Sequence, residues 1–145
     1  MAQVETRARY AQCIALDTRW MDNDAYGHVN NVVYYSFFDT AVNRWLVERD
    51  LLDIADSAAI GLVVETGCRY HAPLAFPDRV TVGVRVARLG TSSVRYELGV
   101  FRNDEDAPSA EGHFVHVYVD RATRRPTPIP PRVRDALATL QVAPG

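Results

Sequence analysis

The chain has no lysine: all 16 of its basic residues are arginine. That excludes Schiff-base catalysis, which needs an amine nucleophile, and the phosphate-cradling lysine of a P-loop. Cysteine is scarce as well. Cys13 and Cys68 are the only two, and with no secretory segment they read as reduced thiols of a cytoplasmic protein. Met1 to Tyr10 is polar and charged, so neither a signal peptide nor a membrane span is expected there. An excess of one charge is also missing. A net charge of −2 does not supply the broad basic face of a nucleic-acid binder.

What is present suffices for a core. The 145 residues are 48 % hydrophobic and 23 % charged, which fits one globular domain, 1–145, that needs no metal or disulfide staple. A first strand is expected over Arg7 to Thr18 and a turn-rich link over Trp20 to Asn31. From about Asn30 to Arg49 the period is helical. Tyr34, Phe37, Phe38, Ala41, Val42 and Trp45 recur at spacings of three and four, with Ser36, Asp39, Thr40 and Asn43 on another face. The wide apolar arc predicts a mostly buried helix, roughly 27–30 Å long at 1.5 Å per residue. Asn30 or Asn31 can supply its N-cap.

Beyond a loop at Asp50 to Ala59 the period becomes two. Leu62, Val64, Thr66, Cys68 and Tyr70 are expected on one side of a strand. Val80 to Val86, Val94 to Val100 and Val115 to Val119 give three more. Leu89-Gly-Thr-Ser92 reads as a hairpin turn and Asn103 to Asp106 as a longer one. Four prolines, at 126, 128, 130 and 131, form a stiff connector to a short helix, Arg132 to Leu140. Consecutive strands joined by turns predict an antiparallel meander that the first strand can join. The long helix then packs on one face. One helix cannot cover five twisted strands, so an open edge and dimerisation are expected.

The densest chemistry is in Asp22-Asn-Asp-Ala-Tyr-Gly-His-Val-Asn-Asn-Val-Val-Tyr34. Acids, a glycine, a histidine and two asparagines crowd a turn just ahead of a buried helix. A carboxylate there sits beside free backbone N–H groups and the positive end of the helix dipole. By position alone, Asp24 is equally a turn or capping residue. The segment resembles the active-site signature of hotdog-fold acyl-CoA thioesterases of the 4-hydroxybenzoyl-CoA thioesterase type: Asp-x-Asp-x-x-Gly-His-Val, then Tyr and an aromatic-rich helix. Arg69 to Asp78 and the Gly90 to Val94 hairpin also look like that family, and the resemblance covers about residues 8–125.

The resemblance implies an α+β hotdog fold, a five-stranded antiparallel sheet wrapped around a long helix, as a homodimer or a dimer of dimers. It implies hydrolysis of an acyl-CoA or acyl-carrier-protein thioester, with Asp24 as base or nucleophile. The backbone N–H at Asn31 would polarise the carbonyl. Gly27, His28 and Asn30 would support the turn, and Tyr26 and Tyr34 would line a substrate pocket. His28 to Asn31 with Tyr34 also resembles plant acyl-carrier-protein thioesterases, which carry an Asn two residues after the Asp; here that position is Tyr26.

This chemistry needs a carboxylate near the acyl carbon and donors aimed at the developing oxyanion, and a helix start supplies the donors. No cofactor is expected, since coenzyme A belongs to the substrate. Asp22 reads as structural. Asp39 is a second carboxylate on the helix, where some hotdog thioesterases place theirs, although a polar-face role accounts for it; Glu65 is a weaker candidate. Cys68 reads as a small strand residue rather than a nucleophile.

A metal site is not expected. Asp22 to Gly27 resembles an EF-hand start, but Tyr26 and Val33 fall where calcium needs oxygens, and the histidines show no zinc motif. Two other activities stay open: a non-catalytic acyl-thioester-binding dimer, and an enoyl-thioester hydratase, whose Asn-Pro motif is lacking.

Overall fold

The computed structural model describes residues 5–142. A 3-10 turn, Arg7–Arg9, leads into β1 (Gln12–Asp17), so the first strand is shorter than expected. A second 3-10 turn, Trp20–Asp22, precedes helix α1 (Val33–Glu48). Then come β2 (Ala59–Tyr70), β3 (Arg79–Leu89), β4 (Ser93–Arg102), β5 (Ala110–Asp120) and helix α2 (Pro131–Ala138). The strands form one antiparallel sheet in the order β1-β3-β4-β5-β2.

That order corrects the expected meander. β3, β4 and β5 are consecutive neighbours, but β2 lies at the far edge beside β5. The link 71–78 is no hairpin. Its two prolines, Pro73 and Pro77, prevent a ladder, and it carries the chain past three strand spacings, about 14 Å. β2 also departs from simple alternation. A bulge between Val63 and Glu65 shifts its register against β5. Before the bulge, Gly61 faces His116 of β5; after it, Gly67 faces His113. His116 is in the buried layer and His113 pairs with Glu65 on the other face. The bulge therefore puts Leu62 and Tyr70 on opposite sides, where the period-two reading had them together.

α1 buries Tyr34, Phe37, Phe38, Ala41, Val42, Trp45 and Leu46 against the sheet, the face its spacing predicts. Its regular turns begin at Val33 rather than Asn30, for a length of about 24 Å. Gly112 sets how closely the helix approaches: a side chain there would meet the Phe38 ring at 2.5 Å. α2 closes the core with Val133 and Leu137, Leu140 just past its end joins them, and the Val86 N–H bonds the Leu140 carbonyl at 2.9 Å. β2 is left as the long open edge, with Leu62, Val63 and Val64 exposed.

Candidate active site

The turn ahead of α1 is held by its own backbone. The Asp24 N–H bonds the His28 carbonyl at 2.8 Å, and the Gly27 N–H bonds the Asp24 carbonyl at 3.1 Å. Gly27 adopts φ +85° with open space around its Cα. It is needed here for its backbone conformation, and the space beside it stays clear. Asp22 is the internal anchor. Its carboxylate is 1 % exposed and accepts from the Arg19 N–H at 2.7 Å and the Arg19 side chain at 3.0 Å. Its carbonyl accepts the Asn30 N–H at 2.8 Å.

Two further contacts fasten the turn to the 71–78 link. The Val29 N–H bonds the Leu74 carbonyl at 2.7 Å, and the Phe76 N–H bonds Asn23 Oδ1 at 3.0 Å. The link is itself tied down by Asp78. That carboxylate accepts from the Ala75 N–H, the Asn103 amide and the Arg102 guanidinium at 2.9–3.2 Å. Burial alone raises the Asp78 carboxyl, and these three donors outweigh it, leaving it below the ordinary carboxylate range.

Asp24 stands half-buried on this frame. One carboxylate oxygen accepts the Tyr26 N–H at 2.8 Å; the other has no donor among the described residues. Asn30 Oδ1 accepts the Val32 N–H at 3.1 Å, and its carbonyl accepts the Val33 N–H at 2.9 Å. Val32 is the residue flanking the regular helix, and no side chain caps it. The N-cap expected at Asn30 or Asn31 therefore falls at Val32 instead, and Asn30 makes a side-chain turn with the Val32 N–H just ahead of the helix. Asn31 is exposed, and its N–H has no acceptor among the described residues. Its carbonyl accepts the Tyr70 hydroxyl at 2.8 Å, a bond that fixes the Asn31 peptide from the end of β2.

The remaining residues of the signature divide by exposure. Tyr26 is 88 % exposed. Tyr34 is buried, its ring edge-on to Tyr70 at 4.9 Å. His28 is exposed and contributes its carbonyl to the turn. Among the described residues, its ring makes no hydrogen bond to Asp24.

Asp39 lies on the exposed face of α1, its carboxyl raised by desolvation. Glu65 is engaged elsewhere, bonding His113 at 3.0 Å and Arg95 at 3.4 Å. Burial pushes the Cys68 thiol up, away from thiolate. Among the described residues, no group of three His, Cys, Asp or Glu is gathered as metal ligands would be.

A turn bearing a carboxylate at the start of one long helix, wrapped by five antiparallel strands in the order β1-β3-β4-β5-β2, defines the hotdog fold. The profile of the thioesterase-like superfamily matches residues 18–137, past the expected limit near 125 and into α2, and the chain belongs to that superfamily. It is similar to the PA5185 protein from Pseudomonas aeruginosa strain PAO1: 53 % identical over 99 % of this chain and 100 % of that one, with a TM-score of 0.95. A Thermus thermophilus thioesterase complexed with coenzyme A and zinc is 32 % identical over 94 % and 98 % of the two chains, TM-score 0.76. The BH1999 gentisyl-coenzyme A thioesterase is 26 % identical over 87 % and 99 %, TM-score 0.77. The protein is a thioester hydrolase. No helix of the described residues is long and apolar enough to cross a membrane.

Sequence reasoning missed Tyr70, Asn23 and Asp78. Each acts through a partner more than 20 residues away in the chain, and no local spacing announces such a bond.

Proposed function

We propose that the protein hydrolyses an acyl-CoA thioester at the start of α1, with Asp24 as the reacting carboxylate and the Asn31 N–H polarising the thioester carbonyl. One observation carries this reading: a carboxylate with one oxygen tied to a backbone N–H, and the other without a donor among the described residues, stands seven residues ahead of the exposed Asn31, whose N–H at the helix start has no acceptor among them. In the general-base course, Asp24 takes a proton from water as the water oxygen attacks the acyl carbon. The Asn31 N–H and the helix dipole stabilise the oxyanion. Collapse breaks the C–S bond, and the proton returns to the departing thiolate, giving free acid and coenzyme A. Direct attack by Asp24 would instead form an anhydride that water cleaves.

Neither course calls on a group beyond the substrate. The choice of coenzyme A is supported by the Thermus relative complexed with it. Gly27, Asn30 and the Asn31–Tyr70 bond keep the turn in shape. His28 and Tyr26, exposed beside Asp24, stand where the thioester arm would pass. Both cysteines are free, in keeping with a cytoplasmic setting.

The working unit is a homodimer in this reading, joined by antiparallel pairing of β2 with β2 of a second copy. β2 is twice the length of the other edge strand, β1. It also exposes Leu62, Val63 and Val64, an edge that stays soluble best when covered.

The test is release of free thiol from aliphatic and aromatic acyl-CoAs by wild type and Asp24→Asn. A loss of at least about 100-fold is expected, the scale of removing a positioned acid–base group. Undiminished turnover in Asp24→Asn overturns the role of Asp24. Tight acyl-CoA binding without turnover across the panel would favour the non-catalytic dimer.

A further inference from the structure

Tyr70 ends β2, and its hydroxyl donates to the Asn31 carbonyl at 2.8 Å. That bond stands at the surface, since Tyr70 is 44 % exposed. A lone phenol–carbonyl bond within reach of water is readily exchanged for water and fixes little. Tyr70 is held at more than this one point. Its ring lies edge-on to Tyr34 at 4.9 Å. Desolvation, then the Cys68 thiol and the Tyr35 hydroxyl beside it, push the Tyr70 phenol above the ordinary tyrosine range. Tyr35 is brought there by the helix. It follows Asn31 by four residues, about one helical turn, so the end of β2 meets both. The Tyr35 ring is half-buried, edge-on to Phe38 at 6.1 Å and packed against the core, which leaves its hydroxyl little freedom to swing away.

Proton counting fixes who gives and who takes. A phenol carries one proton, and a carbonyl can only accept. Tyr70 therefore spends its proton on Asn31, and a bond between Tyr70 and Tyr35 has Tyr35 as its donor. Cys68 is the weaker claimant for the Tyr70 oxygen. A thiol is a poor donor, and the Cys68 sulfur already faces the Arg69 carbonyl at 3.9 Å. Among the described residues the Tyr35 hydroxyl has no other acceptor.

We propose that Tyr35 is a positioning residue for thioester hydrolysis: its hydroxyl donates to the Tyr70 oxygen, and the relay from Tyr35 through Tyr70 to the Asn31 carbonyl holds the peptide that follows the carbonyl-polarising N–H. The role rests on the reading of Asn31 as the polarising residue. A donor on the Tyr70 oxygen polarises the Tyr70 O–H and strengthens the bond beyond it. It also fixes the hydroxyl torsion, so that the phenol points at Asn31 and not at water. Because the relay acts on the aim of the N–H at the reacting carbonyl, it serves turnover and not substrate affinity.

The experiment compares kcat and KM for aliphatic and aromatic acyl-CoAs in wild type, Tyr35→Phe, Tyr70→Phe, the double variant and Cys68→Ala, with folding checked by circular dichroism. The Asn31 amide proton shift is read on the same proteins by nuclear magnetic resonance, which needs no turnover. Tyr35→Phe is expected to lower kcat about 3-fold with KM unchanged, and to move the Asn31 amide in the same direction as Tyr70→Phe does. The double variant should be no slower than Tyr70→Phe alone, because the two residues act through one bond. Cys68→Ala should match wild type. Unchanged kcat in Tyr35→Phe, losses that multiply in the double variant, or a loss in Cys68→Ala with none in Tyr35→Phe overturns the relay while leaving thioester hydrolysis standing. If wild type hydrolyses no thioester of the panel, the hydrolytic reading falls instead, and the amide shift decides alone: moved by Tyr35→Phe it upholds the relay, unmoved it overturns it.

Discussion

The two ends of α1 present opposite surfaces. The N-terminal end is polar and open: Asp24, His28 and Asn31 lie within eight consecutive residues, on a turn of positive-φ glycine and backbone hydrogen bonds. The C-terminal end is mainly apolar, its cavity built from helix, loop, β2 and β5 with the buried His116 imidazole and Arg121 at its wall. In the proposed function the first arrangement offers a carboxylate and a backbone N–H to a reacting carbonyl. The contrast is between a polar turn built from one run of residues and an apolar hollow assembled from four segments of the chain.

Three measurements sharpen or break this contrast, beginning with the largest expected effect. His116 has a folded pKa of about 4 against an ordinary 6.5. Its contribution is complete above pH 6.5 and is lost as pH falls toward 4, because the unfolded chain takes up a proton that the folded one refuses. Wild type should lose about 3 kcal/mol across that window, and His116→Phe should lose less by about that amount. Urea unfolding at pH 7 and pH 4 measures it, and equal slopes in the two proteins would remove the buried neutral imidazole from the account.

At the other end, Gly27→Ala forces a side chain to φ +85° with nothing nearby to clash. A cost of about 1–2 kcal/mol and a melting temperature lower by roughly 2–8 °C are expected, together with reduced kcat. An unchanged melting temperature would mean that the turn relaxes freely.

The smallest effect belongs to Tyr70→Phe, which deletes the 2.8 Å bond to the Asn31 carbonyl. A loss of about 1 kcal/mol and a several-fold fall in kcat/KM are expected from steady-state kinetics. If only stability changes, Tyr70 braces the fold without setting the polarising peptide.

The same contrast explains what could be read in the sequence. The N-terminal end is local, so Asp24, Gly27, Asn30 and Asn31 could be singled out from a run of residues, and the buried face of α1 from its spacing. The cavity is made by Asn43, Gly61, His116 and Tyr118, brought together only by folding, and His116 in sequence is one alternating residue of a strand. The place of β2 was hidden for a related reason. Strand pattern reports which faces are apolar but not which strands are neighbours, and the bulge after Val63 breaks the alternation that assigned its faces. The Tyr70–Asn31 and Asp78–Arg102 bonds likewise join distant segments.

The most direct test of the reacting end is kcat/KM of Asp24→Asn and wild type for aliphatic and aromatic acyl-CoAs side by side. The account predicts a fall of at least about 100-fold on every thioester that the wild type hydrolyses. Hydrolysis of those thioesters by Asp24→Asn at the wild-type rate would contradict it.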